Sequence, residues 1–268
     1  VSVLIKTKNY FLNIWQFLCL FAIPGDSKPT LRFAYGGSAD FRGRDNTIFN
    51  ILSTPNLGLN MKTRDVETLL PRPTLLKSSF FTEAYIVIKT EKNFVRISMD
   101  ANHKECELNI GPTYKKLGNG EELNLYNINI LSRKRLFIIR ANGWEMIFCR
   151  VPIEFVHGKK KPLWRYNVLI MPLLHVNTSQ LKNIYGTANL TSPHGLLGQS
   201  FDKQACRREG EKTNYDAVFV DQKEQAVGAI EGTWEDYIVR SKYATKFKYT
   251  RFLSNNIVTR WKNCFPAS

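Results

Sequence analysis

The sequence predicts an all-β fold, a β-sandwich of antiparallel strands with short peripheral helices. Three observations carry that prediction. Short apolar stretches recur along the middle of the chain, several with period-two alternation. They are rich in β-branched and aromatic residues, and polar Gly- and Asn-containing turns separate them. No long helical periodicity competes with them.

Taken in order, Thr82–Thr90 is the first such stretch (TEAYIVIKT). Phe94–Met99 alternates apolar and polar residues, as a half-buried strand does. Cys106–Ile110 alternates again, and so does Leu123–Ile130, read as one strand. Arg135–Arg140 runs into Asn142-Gly143, and Trp144–Phe155 resumes after it, which reads as a β-hairpin. Arg165–Leu174 is a further apolar run. Turns are expected at Asn102-His103, Lys116–Gly120 and His157–Pro162. Short helices are expected near Asn177–Ile184 and Asp202–Gly210. Pro71 and Pro73 read as edge-loop prolines, Lys203–Asn214 as a charged loop, and residues 254–268 as a C-terminal tail.

The chain has 268 residues, 43% of them hydrophobic and 12% aromatic, enough to bury a core. Its formal charge of +15 favours polyanions such as acidic glycans, nucleic acid or an anionic surface. The basic residues are spread along the chain, so a solvated surface is the plainer account of them.

Lys6 and Lys8 precede the apolar run Tyr10–Ile23, which ends at Pro24-Gly25. Residues 1–28 thus have the layout of a secretory signal, with a buried element as the other reading. Asn13 and Gln16 interrupt the run, so no stable membrane span is expected. Beyond Cys19 lie Cys106, Cys149, Cys206 and Cys264, candidate disulfide cysteines with three pairings open. Their wide spacing excludes a C-x-x-C zinc pattern. Asn177-Thr-Ser and Asn189-Leu-Thr are glycosylation sequons. These features agree on an exported, secreted or surface-exposed glycoprotein.

Two Gly-containing signatures bracket the strand-rich stretch. The first is Gly36-Gly37-Ser38-Ala39-Asp40-Phe41-Arg42-Gly43-Arg44-Asp45, and the second is His194-Gly195-Leu196-Leu197-Gly198-Gln199-Ser200-Phe201-Asp202. The first resembles the opening of von Willebrand factor type D domains, keeping the glycines, an acidic residue and the aromatic but lacking the His and Pro. The second resembles the Gly-Leu-Cys-Gly-Asn turn of those domains, with Leu197 in place of the Cys and Gln199 in place of the Asn. Its wording is nearest to the C-terminal domain of inter-alpha-trypsin inhibitor heavy chains, and plant root-cap proteins carry a comparable pair. Ala229–Val239, with its Asp236-Tyr237, resembles the end of such modules. The resemblance covers about residues 31–253 as one type D-like domain. It implies that Phe49–Ser53 is a first buried strand, with a turn and second strand over Pro55–Asn60. It also implies a non-catalytic role in adhesion or matrix contact.

Physically, glycines at 195 and 198 suit a tight turn or close backbone approach. Calcium, which many type D domains bind, needs several carboxylates. Here Asp202 is followed by Lys203, Arg207, Arg208 and Lys212, so neither a metal nor another cofactor is expected. Nor is an enzyme. Gly198-Gln-Ser200-Phe-Asp202 lacks the final Gly of a nucleophile elbow, and His103, His157, His175 and His194 show no metal-ligand spacing. The alternative function is polyanion binding. Its candidate residues are Arg133, Lys134, Arg135, Lys159, Lys160, Lys161, Lys246, Lys248 and Arg251. The expected partners are proteins or acidic glycans, and nucleic acid only without sequence specificity.

Overall fold

The computed structural model describes residues 30–32, 38–41, 43–69, 75–153, 156–158, 162–173, 193–199 and 234–245. The protein is all-β, with antiparallel strands in two main sheets. The short pair β1 (Thr30–Arg32) and β2 (Ser38–Asp40) stands apart. The first main sheet is a six-stranded meander of β3 (Ile48–Thr54), β4 (Leu57–Leu69), β5 (Leu75–Lys89), β6 (Phe94–Asp100), β7 (Cys106–Ile110) and β8 (Thr113–Leu117). The second is a five-stranded meander of β9 (Glu122–Leu125), β10 (Ile128–Arg133), β11 (Leu136–Ala141), β12 (Trp144–Ile153) and β13 (Leu163–Pro172). Every strand pair within a sheet is a chain neighbour, so short hairpins set the topology.

Alternate residues from both sheets meet in one core. Leu59, Met61, Ala84, Ile86, Ile97 and Leu108 enter it from the first sheet. Ile130, Phe137, Ile139, Trp144, Met146 and Phe148 enter it from the second. The long strands β4 and β5 run past this core. There Val66 and Phe80 form a smaller cluster with Ile153, and β13 lies alongside β5.

Turn chemistry explains where the strands end. Asn142 and Gly143, at φ 48° and 78°, supply the expected Asn-Gly hairpin between β11 and β12. Leu123–Ile130 is two strands rather than one. Tyr126 and Asn127 adopt φ 47° and 62°, so the chain reverses there as a two-residue hairpin. Regular alternation on either side, Leu123-Asn-Leu125 and Ile128-Asn-Ile130, made the stretch read as one strand although the phase slips by one residue at the turn. Strand β5 begins seven residues before Thr82; its end Leu75–Lys77 is largely exposed and Ser78–Phe81 is buried on both faces, so the stretch shows no alternation of burial. The extra residue Ile51 in β3 and Thr82 in β5 mark register shifts of the β-bulge kind.

The expected helices near 177–184 and 202–210, the apolar segment of residues 1–28 and the tail 254–268 lie outside the described residues. A 3-10 turn, Trp234–Tyr237, is a short peripheral helix. Among the described residues no helix is long and apolar enough to cross a membrane.

Candidate functional site

The second Gly signature runs along the outer edge of β3. Ser53 and His194 exchange both backbone hydrogen bonds, at 2.8 and 2.9 Å. Leu196 N and Leu197 N donate to the carbonyls of Asn50 and Ile51, each at 3.0 Å. Gly195 holds φ +99°, and a Cβ there would sit 2.5 Å from Ile51 O. At Gly198 a Cβ would sit 2.9 Å from Leu52 Cδ1. Gly195 therefore permits backbone-to-backbone contact, and Gly198 leaves room for the Leu52 side chain. Leu196 and Leu197 fill the core beside them. Gln199 Nε2 donates to Gly195 O and to Tyr237 OH, both at 3.1 Å, which ties the signature to the later Asp-Tyr stretch.

That stretch uses the same edge. Val239 N donates to Ile48 O at 2.9 Å, and Ile238 bridges Phe49. Residues 241–245 then cross the outer face of the six-stranded sheet. Asn60 Nδ2 donates to the carbonyls of Lys242 and Ala244, and Tyr243 stands edge-on to Tyr85 at 6.1 Å. Asn60 also accepts from Asn50 Nδ2 at 2.9 Å, so a buried amide ladder continues into β3.

The end of the first signature packs nearby. Phe41 stacks on Phe81 and meets Phe49 edge-on. A Cβ on Gly43 would lie 2.4 Å from Thr63 Cγ2. Thr63 Oγ1 donates to Arg44 O at 2.6 Å, and Asp45 Oδ1 accepts from Asp65 N at 2.7 Å. The Arg44 guanidinium lies 5.8 Å from the Trp234 ring centre. Both signatures thus converge on β3 and its flank.

His194 is only 2% exposed, its ring stacked on Tyr237 with centroids 5.8 Å apart. Desolvation pushes its pKa down to about 4, so the imidazole is neutral at ordinary pH. Among the described residues no group of three or more His, Cys, Asp or Glu could hold a metal ion.

The exposed basic feature is the β10–β11 turn. Arg133, Lys134 and Arg135 are all exposed there. Lys134, at φ 39°, donates its backbone N–H to Asn119 Oδ1. The β8–β9 connection braces the turn through Gly120 N to Ser132 O (2.8 Å) and Ser132 N to Glu121 O (2.9 Å). The Arg135 guanidinium stands 5.3 Å from the Trp164 ring centre, and Arg150 stands 4.8 Å from the same ring. Arg150 and Trp164 were not legible as site residues. Their one signal is a lone arginine inside the otherwise apolar run Met146–Ile153. The remaining basic candidates, Lys159, Lys160, Lys161, Lys246, Lys248 and Arg251, lie outside the described residues, as do Asn177 and Asn189.

The cysteines separate. Cys106 is no disulfide partner but a free thiol. It points from β7 into the apolar core, where burial raises its pKa to about 12. Cys149 is disulfide-bonded. Cys206 and Cys264 lie outside the described residues.

Searches against family models, curated proteins and solved structures give no match to this chain.

Proposed function

We propose that the chain is a non-catalytic interaction module of an exported protein, patterned like the type D domains, that serves adhesion or matrix contact. One observation carries this reading. Among the described residues, His194–Gln199 of the second signature and Phe41 of the first are engaged in packing on β3, so they act as a frame rather than a reacting centre. His194, the side chain most suited to proton transfer in that region, is buried and neutral. A hydrolase or transferase activity of the full chain that is lost in His194→Gln or Ser200→Ala would overturn the proposal. No such dependence is expected.

A second reading, polyanion contact, is favoured by the exposed turn Arg133-Lys134-Arg135. A braced hairpin presents three cations without first having to order a loop. Acidic glycans are the chemical class that fits an exported setting. The chain is expected to bind immobilised heparin at low salt. Replacing Arg133 and Lys134 by Ala together should reduce the slope of log affinity against log salt by about two, roughly one for each lost anion contact. Absence of retention at low salt removes this reading and leaves the first standing.

A further inference from the structure

Arg150 projects from β12 directly across from Tyr166 of β13. Both side chains are 3% exposed. Arg150 Nε donates to Ala101 O at 2.7 Å. Its Nη groups have no hydrogen-bond or ion-pair partner among the described residues. The Tyr166 hydroxyl is buried and also lacks a hydrogen-bond partner.

The surroundings hold charges of both signs. Arg135 shares the Trp164 ring with Arg150, and its charge joins desolvation in lowering the pKa of Arg150. The acid whose charge reaches Arg150 is Asp100. Its carboxylate is occupied by Asn102 N (2.8 Å), Asn102 Nδ2 (3.0 Å) and His103 Nδ1 (3.4 Å). Trp164 is itself held in place, its N–H donating to Asn102 Oδ1 at 3.2 Å.

A buried guanidinium without a counterion is costly, and so is a buried hydroxyl without a partner. One ligand chemistry satisfies both. A carboxylate or sulfate accepts two parallel bonds from an arginine fork and has oxygen left for a hydroxyl donor. We infer that Arg150 and Tyr166, with Arg135 above them on Trp164, form a receptor for a single oxyanionic group. That group is either a free inorganic oxyanion or the sulfate or carboxylate of an acidic glycan. The glycan source rests on the polyanion reading above; the receptor itself does not.

The test is thermal unfolding of the full chain in millimolar sodium sulfate against sodium chloride of equal ionic strength. With sulfate about tenfold above its dissociation constant, the midpoint should rise by about 3–5 °C. Tyr166→Phe keeps the ring and its packing, and should weaken the apparent sulfate affinity about tenfold. Arg150→Met should abolish the shift. General exclusion of sulfate from protein surfaces acts on all variants alike, so the comparison isolates the site. A sulfated disaccharide giving the same shift at lower concentration identifies the glycan source. A shift with sulfate alone identifies a free oxyanion. Either result supports the receptor. No excess of sulfate over chloride, or an undiminished shift in Tyr166→Phe, overturns it. Absence of heparin retention by the parent chain at low salt, with the sulfate shift intact, removes the polyanion reading while supporting the receptor.

Discussion

Gly195→Ala should cost the fold about 3 kcal/mol or more, and at that size much of the chain is expected to be unfolded or insoluble. Two penalties coincide at this position. The backbone holds φ +99°, which a residue with a Cβ rarely adopts. The new methyl would also meet backbone atoms, Ile51 O at 2.5 Å and Leu52 N at 2.8 Å, which no rotamer change can move aside. Relief would require the 193–199 segment to lift from β3, breaking the bonds of His194, Leu196 and Leu197 to that strand. Gly120 is the control. It has φ +88°, but nothing lies within 4 Å of its missing Cβ. Gly120→Ala should therefore cost only about 1 kcal/mol of conformational strain. Urea midpoints of the two variants measure the difference. Equal losses would mean that the close approach at Gly195 contributes nothing.

Acid should destabilise the protein through His194. In the unfolded chain this imidazole takes up a proton near pH 6.5. In the folded chain, burial delays protonation to about pH 4. Between those values the unfolded state binds the extra proton, so stability falls as pH falls. The slope is about 1.4 kcal/mol per pH unit, and the total reaches about 3 kcal/mol at pH 4. Above pH 6.5 the group contributes no pH dependence. His194→Gln should remove this component. The variant and the parent should then differ more at pH 7 than at pH 4.5, because only the parent loses His194-linked stability between them. Carboxylates elsewhere titrate in both proteins, so the difference between the two urea curves isolates His194. Parallel curves would count against a buried neutral imidazole.

The fold class was legible because hairpins between chain neighbours need only local signals. Alternation marked β6 and β7, and Asn142-Gly143 marked a turn whose φ values need those residues. Where two faces are buried, alternation disappears, and Ser78–Phe81 of β5 give no strand signal for that reason. Tyr126-Asn127 was missed because an aromatic gives no turn signal even when its backbone is left-handed. The second signature was legible as a turn of the frame, since paired glycines flanking two leucines imply tight packing. The strand it would pack on was not, because contacts between His194 and Ser53 leave no local pattern. Arg133–Arg135 could be picked out by charge alone. The pairing of Arg150 with Tyr166 could not, since it arises from strand register.

The covered edge of β3 also bears on the order of events during synthesis. Strand β3 can pair with β4 as soon as both leave the ribosome, because Thr54 and Leu57 are hairpin neighbours. Its other edge must wait for His194–Gln199 and Ile238–Val239, by which time both meanders have been made. During that interval a row of backbone donors and acceptors stands open beside the buried-type residues Phe49, Ile51 and Leu52. Such contacts between distant parts of the chain form slowly. An unfinished chain therefore offers a strand edge to any neighbouring copy until its own last segments arrive to close it.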